Sequence, residues 1–343
     1  MQALSPSPEE RRRQRRSIAL LVVLGALVFV VFLLAMNTGS IRLSPLQVLR
    51  TLAGEGNAKQ ELILYEFRLP RIVIAVLIGA GLSVSGCVLQ GISRNALADP
   101  GILGINAGAG LAVMLFISFY PGTEAVHVFA LPALALAGAL LTAALIYSLA
   151  YKRYEGLSPT RLLFNGIGVA SGIGSAMILL TLRLSPEKFQ VVASWLAGSI
   201  WGTDWRFVLA LLPWVAVLLP FVICKAQTMN VLGLGEQTAA GLGVTVAREQ
   251  FKLLLAAVAL AGSCVAVSGG IGFVGLLGPH MAKRLVGSRH QILLPTAALL
   301  GSLLVLAADT AGRWIVAPSE LPAGIVVAVL GAPYFLYLLA RSR

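Results

Sequence analysis

The chain has 343 residues, 58% of them hydrophobic and only 12% charged, about half the roughly 25% charged share of a soluble domain. Bulk water is therefore not its solvent. The net charge of +12 does not point to nucleic acid, because the basic residues lie between apolar runs and form neither one patch nor an aromatic-interleaved stripe.

Apolar runs of about 20 residues, enough to cross ~30 Å of hydrocarbon as helix, recur along the whole sequence. They predict an all-α polytopic membrane protein. Arg11 to Arg16 precede the stretch Ile18 to Met36. That stretch is longer than the ~7 to 15 apolar residues of a secretory signal and has no clear small-x-small cleavage site. It reads as the first transmembrane helix, with residues 1–17 a cytoplasmic basic N-terminus and 18–343 a single transmembrane domain. Ten spans are predicted, at 18–36, 70–91, 101–119, 128–150, 162–182, 206–224, 252–268, 271–285, 292–309 and 322–340. With the N-terminus inside, most of the 26 Lys and Arg fall on the inner side, as the positive-inside rule requires, and both termini are then cytoplasmic.

Between these spans, 37–68 is an outer stretch of mixed charge and turn-formers that would lie over the membrane face. Pro186 to Trp205 carries Trp195, Trp201 and Trp205, residues suited to the outer membrane interface. The inner stretch 225–252 contains Gly233, Gly235, Glu236, Ala239, Ala240, Gly241 and Gly243, and predicts a short helix, a glycine break and the start of another helix.

Chemistry-bearing motifs are scarce. Gly270-Ile-Gly272-Phe-Val-Gly275 has G-x-G-x-x-G spacing, but apolar spans surround it and not a strand-helix unit, so its glycines read as helix-contact or helix-break positions. Gly104 with Gly108 and Gly168 with Gly172 have small-xxx-small spacing and read the same way. The sequence contains no G-x-x-x-x-G-K-[ST], so ATP has no evident cradle here. Asp99 and Asp309 fall at span ends, where helix capping or anchoring accounts for them better than proton relay. His127, His280 and His290 lack the i, i+4 spacing of a helical metal site, so no metal is expected. Cys87, Cys224 and Cys264 read as small buried hydrophobes. No catalytic constellation emerges, so the chain is not expected to be an enzyme.

Four ordered motifs resemble the FecCD-type permeases of siderophore, haem and cobalamin importers. Arg68-Leu-Pro-Arg71 is similar to the family's R-L-P-R. Asn95-Ala-Leu-Ala-Asp99-Pro100-Gly-Ile-Leu-Gly104 is similar to N-P-L-A-x-P-x-x-L-G, departing at Ala96. Gly272-Phe-Val-Gly275-Leu-Leu-Gly-Pro279-His280 resembles G-F-x-G-L-x-x-P-H, and Glu320-Leu-Pro-Ala-Gly324 with Gly331-Ala-Pro-Tyr-Phe335 resembles the closing segment.

The resemblance implies ten helices per subunit and a second permease subunit, identical or homologous. It further implies two cytoplasmic ATPases that hold the ATP and Mg, an extracytoplasmic substrate-binding protein, and an iron-chelate cargo crossing a bacterial plasma membrane. The main alternative is an ion-coupled secondary transporter. By the same resemblance, Gly235, Glu236, Ala239, Ala240 and Gly243 form an ATPase-coupling segment. Arg68, Arg71 and Arg313 would face acidic residues of the binding protein, and Asn95, Asp99, Pro100, Gly272, Gly275, Pro279 and His280 are translocation or gating candidates.

Overall fold

The computed structural model describes residues 8–39, 43–101, 103–120, 129–152, 156–316 and 319–341. His127, residues 1–7 of the basic N-terminus and the last two residues lie outside them. The described helices are α1 (Pro8–Asn37), α2 (Pro45–Leu52), α3 (Ala58–Glu61), α4 (Leu69–Ser93), α5 (Ile105–Phe119), α6 (Ala130–Ala150), α7 (Pro159–Thr181), α8 (Pro186–Leu196), α9 (Trp205–Cys224), α10 (Ala226–Leu232), α11 (Glu236–Gly241), α12 (Val246–Ser268), α13 (Val274–Val286), α14 (His290–Ile315) and α15 (Ala323–Arg341). Two two-residue strands, Tyr151–Lys152 and Gly156–Leu157, form a small antiparallel pair. The chain is an all-α multi-pass membrane protein. Seven helical stretches are long and apolar enough to cross a bilayer, and α5 and α15 are shorter apolar helices. With α13 they match the ten predicted spans.

Two boundaries differ from expectation for physical reasons. The helix of the second span starts twelve residues before Pro70, because Asn57 and Gln60 form a capping box at Ala58 and a π-helical turn over Leu62–Arg68 carries the chain straight into α4. The outer stretch thus contributes helix to the bundle as well as the short capped α2. The eighth span starts at Val274, three residues late. Gly269 and Phe273 are both left-handed (φ 70° and 66°) and keep 269–273 out of helix.

α4 is the axis of the bundle, packed against α9, α12, α13 and α14. Glycine permits this. A Cβ on Gly79 would stand 2.6 Å from the Cα of Ser302 in α14, and one on Gly86 would stand 2.5 Å from the Cα of Gly275 in α13, so the backbones touch. Serine hydroxyls tie the same faces. Ser83 donates to Ala297 O (2.6 Å), Ser302 to Val76 O (2.8 Å) and Ser85 to Ala257 O of α12 (2.7 Å). Gly108 of α5 lies against Gly138 of α6 in the same manner, whereas a Cβ on Gly168 or Gly172 of α7 would meet nothing among the described residues. Cys87 and Cys264 are buried as expected, but Cys224 is exposed on α9.

Candidate functional site

Three places concentrate the residues singled out by sequence: the two ends of the bundle and a seam inside it. At one end, α10 and α11 form an excursion between α9 and α12. Gly235 (φ 113°) starts α11 and Gly243 (φ 85°) ends it. The Val244 amide donates to Ala239 O (3.0 Å) and the Gly243 amide to Ala240 O (2.9 Å). These two bonds make a Schellman cap, which explains the Ala239-x-x-x-Gly243 spacing: only a left-handed residue closes it without strain. Ala239 is fully buried and locks α11 onto the core, while Leu234 and Leu242 on either side of α11 are exposed. The result is a short helix with an apolar outer edge on two glycine joints.

The seam lies where the 95–104 loop meets the start of α13. Asn95 Oδ1 accepts from the Leu97 amide (2.9 Å) and Asp99 Oδ1 from the Gly101 amide (2.7 Å), folding the loop inward. A Cβ on Gly275 would stand 2.6 Å from Pro100 Cδ and 2.8 Å from Asp99 Oδ2, so the structure brings Asp99, Pro100 and Gly275 together. Pro279, inside α13, has no N–H for the carbonyl of Gly275 four residues back. Gln90 of α4 points its amide there instead, with Nε2 3.4 Å from the carbonyls of Gly275 and Leu276. His280 packs edge-on to Tyr334 of α15 at 5.8 Å, and its buried Nε2 has no hydrogen-bond partner among the described residues. Gly272 has open space around it. Beside the loop, a cavity of about 580 Å³ opens between Arg94, Asn95 and Ala96 and the α7 residues Leu163, Phe164 and Ile167.

At the other end, Arg71 Nε and Nη2 donate to Asp309 Oδ1 (3.0 and 2.7 Å) and Nη1 donates to Glu320 Oε2 (2.7 Å). Arg313 Nε approaches Asp309 Oδ2 at 3.1 Å. Asp309 is 1% exposed, so two guanidiniums balance one carboxylate removed from water. Arg313 Nη1 also donates to Ala35 O (3.4 Å) and Thr38 O (3.1 Å), and Arg68 Nη1 donates to Met36 O. Cations at the C-terminal carbonyls of α1 satisfy its unpaired acceptors and complement its dipole. The structure shows what Arg68, Arg71 and Arg313 hold inside the chain, apart from the docking expected of them. Their guanidiniums are engaged within the chain, joining α1, α4, α14 and the start of α15, and Asp309 serves as an anchor.

Known proteins share this architecture and sequence. The model of the FecCD transport family matches residues 27–341. The iron(3+)-hydroxamate import system permease protein FhuG of Bacillus subtilis (strain 168) is 49% identical over 337 residues, covering 97% of this chain and 100% of that protein. The chain belongs to the FecCD transport family. The hemin transport system permease protein HmuU of Yersinia pestis is 37% identical over 94% of this chain and 96% of its own length. A solved structure described as an inward-facing conformation of a metal-chelate type ABC transporter superposes with a TM-score of 0.83 at 29% identity, covering 94% of this chain and 99% of that one.

For a FecCD chain, sequence reasoning missed two things. Glu320 was noted only as part of a motif, although it completes the arginine network. Phe273 carries an unmarked left-handed backbone, for which Gly331 makes room: a Cβ on Gly331 would stand 2.8 Å from Phe273 Cβ.

Proposed function

We propose that the chain is the permease subunit of an ABC importer that moves iron-siderophores, ferric hydroxamates first among them, across the bacterial plasma membrane. The single observation that carries this reading is the α10–α11 excursion. A short helix on glycine joints, locked by Ala239 and presenting Leu234 and Leu242 outward, is built to be gripped by another protein and moved. In this reading the excursion end and both termini are cytoplasmic. Two ATPase subunits holding ATP and Mg seat against α11, a second permease copy or homologue completes the path, and a binding protein delivers the chelate at the arginine end. This chain performs no chemistry on the cargo.

The seam of Asn95, Asp99, Pro100, Gly272, Gly275, Pro279 and His280 would then be the place where the path opens and closes. Its helix ends and glycine contacts allow two packings more readily than a continuous helix does.

The test is uptake of radiolabelled ferric hydroxamate by cells carrying wild-type protein or the Gly243→Arg variant, with permease measured in the membrane. Wild-type uptake that survives a protonophore while ATP is maintained, and that collapses in the inserted variant, is the expected result. Uptake abolished by the protonophore alone would favour an ion-coupled carrier. A variant that imports normally would sink the coupling assignment.

A further inference from the structure

The excursion leaves the bundle at Lys225 and rejoins it by Lys252, and the two lysines converge on one carboxylate. Lys225 Nζ lies 2.7 Å from Glu249 Oε2, and Lys252 Nζ lies 2.7 Å from Glu249 Oε1. The next residue, Gln250, donates through Nε2 to Glu236 Oε1 (3.2 Å), the first residue of α11. Glu249 and Gln250 are both buried, in the first turn of α12. One helical turn therefore holds the root of the excursion with one side chain and its tip with the next.

The chemistry of the contact is informative. Lys252, one turn along the same helix, already gives Glu249 a counter-charge. The second lysine comes from the end of α9, and its contact adds a tie between helices that neutralisation did not require. The glycine joints explain what such ties are for. Left-handed backbone at Gly235 and Gly243 bounds α11 on both sides, so no continuous helix joins it to α10 or α12, and the buried Ala239 is its hold on the core. A push on α11 is passed on more fully where side chains also bridge the joints. A parallel tie exists on the other side. Asn230 of α10 accepts from the His290 amide (3.0 Å) and donates to Gln291 (2.8 Å) at the start of α14, the helix that carries Asp309 and Arg313 at its far end.

We propose that Glu249 and Gln250 are positioning residues of the transport cycle. They make α11, the α9–α10 junction and α12 move as one body, so that displacement of α11 reaches α12 and is not absorbed at the glycine joints. The proposal rests on the reading of α11 as the surface that meets the ATPase.

The experiment uses the whole importer, permease with its ATPases and binding protein, reconstituted in liposomes, with ATP hydrolysis and uptake of radiolabelled ferric hydroxamate measured in the same vesicles. Glu249→Gln and Gln250→Leu are each expected to lower chelate moved per ATP about fivefold, at the lower edge of ordinary coupling strengths, with assembly, hydrolysis and melting temperature retained. Lys225→Met should resemble Glu249→Gln, and the double variant should lose no more than either single one, as members of one contact do. Glu249→Asp, which keeps the charge on a shorter stem, should recover part of the ratio. Equal coupling in wild type and variants, or uptake and hydrolysis falling together with the amount of assembled complex, would overturn the proposal alone. A wild-type complex that moves no chelate would overturn the importer reading and this proposal with it.

Discussion

α4 and α7 look alike in sequence, two glycine-bearing apolar spans, and the structure uses them in opposite ways. The stretch through α4 is 83% buried over its apolar window and that of α7 only 11%, with mean hydropathies of 2.5 and 1.7. The span through α1 is more apolar than either, at 3.3, and is again 11% buried. Hydropathy therefore marks what lies in the membrane without ordering core against periphery. What separates the two is the partner of each glycine. Gly79 and Gly86 of α4 meet the backbones of α14 and α13, whereas Gly168, Gly172 and Gly174 of α7 face open space among the described residues. In lipid, where apolar surface alone does not drive helices together, close packing and polar ties decide the interior.

The largest effect should come from the ties at the arginine end. Asp309→Asn leaves Arg71 and Arg313 buried with half their counter-charge gone, at a cost of about 3 to 5 kcal/mol by analogy with broken buried pairs. Thermal melting of the detergent-purified permease should show a clear loss of stability, and an unchanged transition would mean that α1, α4 and α14 are held by packing alone. Next, Gly86→Ala pushes a methyl into the backbone of Gly275 and should cost about 1 to 3 kcal/mol in the same assay. A neutral result would show that α4 and α13 can separate freely at the seam. Smaller still is Gly243→Ala. Its side chain has room, so the cost is the left-handed backbone alone, about 1 kcal/mol. It should reduce iron uptake more than it lowers the melting temperature, and an equal fall in both would mark Gly243 as an ordinary turn.

The contrast also shows what could be read in advance. The apolar spans and the helix-break-helix form of 225–252 were legible, because apolar length and glycine act locally. The arginine network was not. Arg71 and Asp309 are 238 positions apart and pair only once α4 and α14 are packed side by side. Arginines near span ends therefore read as outward-facing contacts, and their pairing inside the chain shows only in the packed helices. The staple at Glu249 was hidden for a milder reason: its partners bracket the excursion in sequence, but only closure of that loop brings Lys225 back to the first turn of α12. The helical run before α4 was missed because the apolar span was read as beginning at Pro70, whereas α3 and the π turn carry helix into it from Ala58.

The smallest predicted effect gives the sharpest test of the comparison. A Cβ on Gly172 in α7 would meet nothing among the described residues, so Gly172→Ala removes backbone freedom without a clash and should raise the stability of the isolated permease by about 0.5 kcal/mol. In the proposed importer a second permease subunit has to meet this one on a face that the single chain leaves open, and α7 presents such a face beside the 580 Å³ cavity. The two conditions give opposite signs. If lipid covers α7, the variant gains the same small increment in the isolated chain and in the assembled complex. If the second subunit packs there, the methyl that was harmless in the single chain weakens the pair, and the assembled complex should dissociate at lower detergent concentration than wild type. Size-exclusion chromatography across a detergent series, run beside melting of the isolated chain, separates these outcomes.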